Sequence, residues 1–396
     1  MIGARERKIL FASWHFYLDG SNGAAVSTRS LLLELARRGW EARTFCALAQ
    51  DFRLPRALDD LLAARGARLK KKVPIGDYFV ASFEDRGIES LVLVPNRGET
   101  RPTARDADVY SRLLRDALAR FNPDWVATYG GYALGPKILE ESKKSGAKTA
   151  VFLHNLAYRD PRYFQSADRV FVPSEFAARE YRERLGLETV AIPPLISLSV
   201  DATEPDSDER DRVLFVNPEV SKGIGFVAAL ARELAATRPE IRFLIVEGSA
   251  GARDLWRVGK DELKGVKNVD FAPNAENIAP LCRRAKITLV PSLVPETFGR
   301  TVAESALFGV PVVASTRGAL PETLGAAGVL IDIPEKFTPD VLRVPTREEI
   351  APWIDAVVRL WDDKSFYREK CRLALERAKK WSRETVGDRY ENALYF

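Results

Sequence analysis

Histidine is scarce in this chain: His15 and His154 are the only two among 396 residues. An HExxH site or any multi-histidine metal centre is therefore excluded. Cysteine is nearly as rare. Cys46, Cys282 and Cys371 are scattered, with no Cys-x-x-Cys pair, so neither a disulfide framework nor a cysteine-held zinc is expected, a pattern that suits a reducing cytoplasm. No apolar run approaches the ~20 residues needed to span a bilayer. The charged start Met1-Ile2-Gly3-Ala4-Arg5-Glu6-Arg7-Lys8 runs into an apolar strand without a signal-peptide pattern. The expectation is a cytoplasmic protein, at most peripheral to the inner face of the membrane.

What is present is ordinary for a globular protein: 46% hydrophobic and 29% charged residues, enough chain for two or three domains. The net charge of +5 is unevenly spread. Residues 1–194 carry 31 Lys and Arg against 24 Asp and Glu, a balance of +7, and the remainder carries 29 against 31, a balance of −2. A basic segment, Arg65–Lys72 with Arg53 and Arg56, reads as a solvated face or as a peripheral contact with an anionic membrane. Basic residues are spread without an RNA- or DNA-binding motif, so no nucleic-acid partner is expected.

Short apolar runs alternate with helix-period segments, which predicts parallel sheets with helices on both faces. In the first half, strands are predicted at Lys8–Ala12, Ala42–Cys46, Ser90–Val94, Trp125–Tyr129, Thr149–Leu153 and Arg169–Val172. Helices are predicted at Ala25–Arg38, Arg105–Phe121 and Leu134–Ser145. Ile192-Pro193-Pro194 and the polar stretch Asp201–Arg212 interrupt the pattern, because proline fixes φ and removes amide donors. It resumes with strands Val213–Val216, Phe243–Val246, Ile287–Val290 and Val310–Ala314. Helices fall between them at Gly225–Thr237, Ile278–Ala285 and Arg300–Phe308, and helices Arg347–Trp361 and Lys364–Trp381 follow. The expected architecture is α/β, with two doubly wound Rossmann-like domains. The first is 1–194, with a helix at about 382–396 packing back on it, and the second is 195–381. Such a pair would face a central ligand cleft at the carboxyl ends of the strands.

The richest stretch is Pro291-Ser-Leu-Val-Pro-Glu296-Thr297-Phe298-Gly299-Arg300-Thr-Val-Ala-Glu304. A buried strand ends, a loop carries one glutamate, and a helix carries a second. Backbone amides of Phe298, Gly299 and Arg300 at a helix N-terminus suit a phosphate. Two glutamates at this spacing also fit the plain preference of acidic residues for first helical turns. The whole segment, with Ser315-Thr-Arg-Gly318-Ala319-Leu-Pro321-Glu322 after it, resembles glycosyltransferase family 4, the retaining GT-B enzymes. Their signature is Glu, seven residues, Glu, followed by a loop that usually reads Gly-Gly-x-Pro-Glu; here Ala319 replaces the second glycine.

The resemblance implies a GT-B fold and a retaining glycosyltransferase, independent of metal, with no cofactor. Its donor would be a nucleoside diphosphate sugar and its acceptor an unidentified saccharide, lipid-linked or small-molecule hydroxyl. Glu296 and His154 would be the catalytic residues. Glu296 would bond the donor sugar's hydroxyls, with His154 close to the reacting carbon. Thr297, Phe298, Gly299 and Arg300 would contact donor phosphates or sugar, and Glu304 the ribose, whose vicinal hydroxyls suit an acceptor-only carboxylate. In Asn217-Pro-Glu-Val-Ser-Lys222-Gly223, Lys222 matches the family's diphosphate-binding lysine, and Asn217 stands where the family has an arginine. Arg300 is expected to supply the missing charge. Asn22, Gly23 and Ala24 occupy the place of the family's glycine loop, open either to ligand contact or to plain turn geometry. His15 follows the first strand and would border the acceptor. The alternatives are a nucleotide-sugar epimerase of the same fold and a catalytically silent nucleotide-sugar-binding partner.

Overall fold

The computed structural model describes residues 7–20, 22–50, 56–96, 101–130, 133–196, 210–248, 263–275, 277–340 and 343–395. Ser21, Arg53, positions 201–209 of the polar stretch and Phe396 lie outside the described residues. The chain divides into two units, Met1–Leu195 with Arg383–Phe396, and Ile196–Ser382. Among the described residues, no helix is long and apolar enough to cross a membrane.

The first unit runs β1 (Lys8–His15), α1 (Gly23–Arg37), β2 (Glu41–Ala49), α2 (Leu58–Ala64), β3 (Arg68–Ile75), β4 (Tyr78–Asp85) and β5 (Ile88–Pro95). It continues with α3 (Ala104–Phe121), β6 (Trp125–Thr128), α4 (Leu134–Lys144), β7 (Lys148–Phe152), β8 (Arg169–Val172), α5 (Glu175–Leu185) and β9 (Val190–Ala191). Its strands form one sheet in the order β3-β4-β5-β2-β1-β6-β7-β8-β9. β1 is buried along its middle because helices cover both faces, and β1 pairs in parallel with β2 and β6.

The sheet is not parallel throughout. β4 pairs antiparallel with β3 and β5. Arg86 at φ +51 and Gly87 at φ +89 turn β4 into β5, the two positive φ values that a tight hairpin turn requires. Most of the basic segment is therefore the edge strand β3. Every residue of β3 is exposed, so no hydrophobic alternation marked it as a strand. Its lysines and Pro74 guard the edge against pairing with another chain.

The second unit contains β10 (Arg212–Val216), α6 (Ile224–Thr237), β11 (Arg242–Val246), β12 (Val269–Ala272), α7 (Ala279–Arg284), β13 (Ala285–Val290) and α8 (Arg300–Leu307). β14 (Val312–Ser315), α9 (Leu320–Leu324), β15 (Gly328–Ile331), α10 (Arg347–Asp362) and α11 (Lys364–Ala378) complete it. Its sheet is parallel, in the order β12-β11-β10-β13-β14-β15. Numbered from β10, that is the dinucleotide-fold order 3-2-1-4-5-6, in which ligands bind where the order reverses, beyond the carboxyl ends of β10 and β13.

The last helix, α12 (Arg383–Tyr395), packs within the first unit. Val386 and Leu394 enter its core, Tyr390 sets its ring against Phe152 and Phe171, and Trp125 Nε1 donates to the carbonyl of Leu394 at 2.9 Å.

Candidate functional site

In the second unit, the loops after β10 and β13 are locked together. A single 3₁₀ turn, Val220–Lys222, ends at Gly223 with φ +83. A Cβ at Gly223 would collide with the carbonyl oxygen of Pro291, so only glycine allows this approach. The amide of Leu293 donates to Ser221 O at 2.8 Å. This clasp brings Lys222 to Glu296: Nζ and Oε1 lie 2.7 Å apart, both side chains partly shielded from solvent. Ser292 Oγ donates to the same Oε1 at 2.7 Å.

Glu296 is fixed from its other side by the turn after β14. Its carbonyl accepts from Ala319 N at 2.7 Å, and Glu296 forms a parallel bridge with Gly318. Gly318 has φ +67, and a Cβ there would strike the Glu296 backbone. Ala319, by contrast, sits at φ −80, where a side chain meets no strain. That is why the second glycine of the pattern is dispensable here.

Gly299 caps α8 at φ +84, and Arg300 Nη2 donates to Glu304 Oε1 at 2.9 Å across one helical turn. Phe298 turns its ring into the core against Trp381, at 5.9 Å between centroids, so only its backbone can meet a ligand. Thr297 is half-buried in the loop between Glu296 and Phe298. Asn217 adopts φ +63, a left-handed conformation that asparagine tolerates better than most side chains. Its Nδ2 donates to Glu219 Oε1 at 3.2 Å, and Ser221 Oγ donates to Glu219 Oε2 at 3.0 Å. Among the described residues its Oδ1 finds no hydrogen-bond partner, and it is buried beside Gly248, where any Cβ would press on the amide. A carboxylate, not a second cation, thus accompanies Asn217.

The first unit gathers its residues at the corresponding reversal, between β1 and β6. His15 ends β1 and Tyr129 follows β6, with ring centroids 6.0 Å apart. His154, two residues after β7, meets the same tyrosine edge-on at 5.7 Å. The two histidines therefore flank one aromatic ring that sequence reasoning took for a strand residue. Gly130, at φ +115, is clamped behind them: its N donates to Tyr158 Oη at 3.0 Å and its O accepts from Tyr163 Oη at 2.6 Å. Burial pushes both phenols above their ordinary values, so they act as neutral hydrogen-bonding groups. Asn22 caps α1, its Oδ1 accepting from Ala24 N at 2.8 Å and Ala25 N at 3.1 Å, while Gly23 is the first helical residue. Two of the amides nearest that loop are thus taken by the cap.

Among the described residues, no group of three or more His, Cys, Asp or Glu side chains gathers as a metal site would. Of the two Asp-x-Asp triplets in the sequence, Asp206–Asp208 lies outside the described residues, and the first residue of Asp106–Asp108 has a structural use. Asp106 completes the capping box of α3 with Thr103 and accepts from Tyr78 Oη at 2.7 Å.

Two family models match the chain, "Glycosyltransferase Family 4" over residues 21–200 and "Glycosyl transferases group 1" over residues 210–346. The chain belongs to glycosyltransferase family 4. Among curated proteins, it is 28% identical over 194 residues to a D-inositol 3-phosphate glycosyltransferase of Mycolicibacterium smegmatis, covering 44% of each chain. It is 32% identical over 195 residues to its Corynebacterium jeikeium counterpart, covering 42% of this chain and 46% of that one. The chain thus spans less than half the length of the curated relatives it matches. Sucrose-phosphate synthase from Thermosynechococcus elongatus superposes with a TM-score of 0.70 at 18% identity, covering 98% of both chains. Anabaena HepE, in complex with UDP-glucose, superposes at 0.69 and 14% identity, covering 98% of this chain and 99% of that one. At these identities the superpositions show the fold, which is GT-B. Glu296 and Glu304, the two glutamates on which the sequence resemblance rests, lie in the loop before α8 and on α8 itself.

Proposed function

We propose that this chain transfers a glycosyl group from a nucleoside diphosphate sugar to an acceptor hydroxyl, with retention at the anomeric carbon and without a metal ion. The observation that supports this most is the meeting of Lys222 with Glu296 where the strand order reverses in the second unit. A cation there suits a diphosphate, and a carboxylate beside it suits sugar hydroxyls. In this reading residues 195–381 hold the donor, with Glu304 on the ribose and Thr297, Gly299, Arg300 and the Phe298 backbone along its phosphates.

The chemistry is attack by the acceptor hydroxyl on the face from which the diphosphate departs. The bond from the anomeric carbon to the phosphate oxygen breaks as the bond to the acceptor oxygen forms. The acceptor's proton passes to the departing phosphate. Lys222 stabilises the charge that develops there, as do the amides at the start of α8. Glu296 orients the sugar and is not the base.

The basic first half supports an anionic acceptor, bound near His15, Tyr129 and His154, and peripheral contact with an anionic membrane, while the three free cysteines suit a cytoplasmic setting. The test is nucleotide release from UDP-, GDP- and ADP-sugars with and without acceptors, D-inositol 3-phosphate and lipid-linked saccharides among them. Turnover that survives EDTA, gives a product with the donor's anomeric configuration and vanishes in Glu296→Ala supports the reading. Tight binding without turnover across the panel points to a silent binding partner instead.

A further inference from the structure

Ser292, beside Glu296, has no role in the family resemblance. It is 1% exposed, and its carbonyl accepts from Ser315 Oγ at 2.8 Å, which anchors it to the end of β14. Its hydroxyl donates to Glu296 Oε1, the oxygen that Lys222 also holds. Among the described residues, no hydrogen bond reaches Oε2.

This division matters because Lys222 has a second claimant. A diphosphate carries more charge than one carboxylate and competes with Glu296 for the ammonium. Ser292 is neutral, buried and tethered, so no incoming anion draws it away. A hydroxyl bonded to a carboxylate is a charge-assisted contact and among the stronger hydrogen bonds. We propose that Ser292 is the positioning residue of Glu296: it holds Oε1 while Lys222 serves the diphosphate, and leaves Oε2 aimed at the donor sugar. The proposal rests on the reading of Glu296 as the residue that binds the sugar.

Ser292→Ala separates the sugar from the diphosphate. Calorimetric titration with UDP, GDP and ADP and with their glucose conjugates is expected to leave the affinity for the sugar-free nucleotide unchanged. Affinity for the matching nucleotide sugar should fall about tenfold, the worth of one hydrogen bond to a charged group. In a Glu296→Ala background, the same substitution should cost nothing further. Equal weakening of both ligands, no weakening of either, or a loss that persists without Glu296 would overturn the proposal. So would a collapse of the melting temperature that takes both affinities with it. A wild-type chain that binds none of these nucleotides would overturn the donor-site reading itself, a separate failure.

Discussion

Arg300 and Glu304 lie on one face of α8, four residues apart, with Nη2 and Oε1 separated by 2.9 Å. A residue expected on phosphate is thus joined to one expected on ribose, just as Lys222 is joined to Glu296. Both cations expected at the donor are thus paired with carboxylates expected there too.

If Arg300 supplies the charge that Asn217 lacks, Arg300→Ala should weaken nucleoside diphosphate binding by about three- to tenfold, modest because the guanidinium is partly solvated. Asn217→Ala should do less, since its amide bonds Glu219. Calorimetry on both variants decides it; equal and negligible effects would remove Arg300 from the site.

Gly318 and Ala319 should respond in opposite ways. Gly318→Ala forces a side chain into the left-handed region, at about 1–2 kcal/mol, and into the Glu296 backbone besides. Thermal unfolding should show the loss, and nucleotide release should fall with it. Ala319→Gly should stay within about 1 kcal/mol of the parent, since its φ suits either residue.

Tyr163→Phe tests the first unit alone. It removes the bond to Gly130 O and should cost about 1–2 kcal/mol in denaturant unfolding. Transfer should slow as the histidine–tyrosine cluster loosens, while nucleoside diphosphate affinity stays constant. A change in that affinity would contradict the assignment of donor binding to the second unit.

Acid should loosen the attachment of α12. Burial alone would raise the Glu34 carboxyl, but bonds from Arg37 and Arg38 outweigh it and hold it below the ordinary value. Arg38 also binds Asp388, and thereby ties α1 to α12. A depressed carboxyl contributes stability that is whole above its unfolded pKa of about 4.3 and is lost as pH falls through the lower folded value. Glu34→Gln should therefore cost about 1–3 kcal/mol at pH 7 and flatten the acid limb of the stability profile. An unchanged limb would show that this cluster does not set it.

Buried parallel strands were legible where their apolar runs are unbroken: Val213–Val216 falls within β10, and Phe243–Val246 within β11. β3 was not, having no buried face to impress a period on it. Lys222 and Glu296 could be found from motif spacing, yet their contact depends on Gly223 and Gly318, whose crowding no local pattern reveals. Ser292 escaped because a loop serine carries no periodic signal. Tyr129 read as a strand residue because an aromatic at a strand end is ordinarily core. Asn22 was legible as part of a loop, but its capping bonds emerge only with the helix in place.

Because α12 belongs to the first unit, residues 383–395 leave the ribosome only after the whole of 196–382. The second unit can fold as soon as its own segment has emerged. The first must wait, with the flank of α1 and the indole of Trp125 uncovered, until the final helix arrives to close it. The core around β1 and β6 is thus closed by residues that emerge only after the entire second unit.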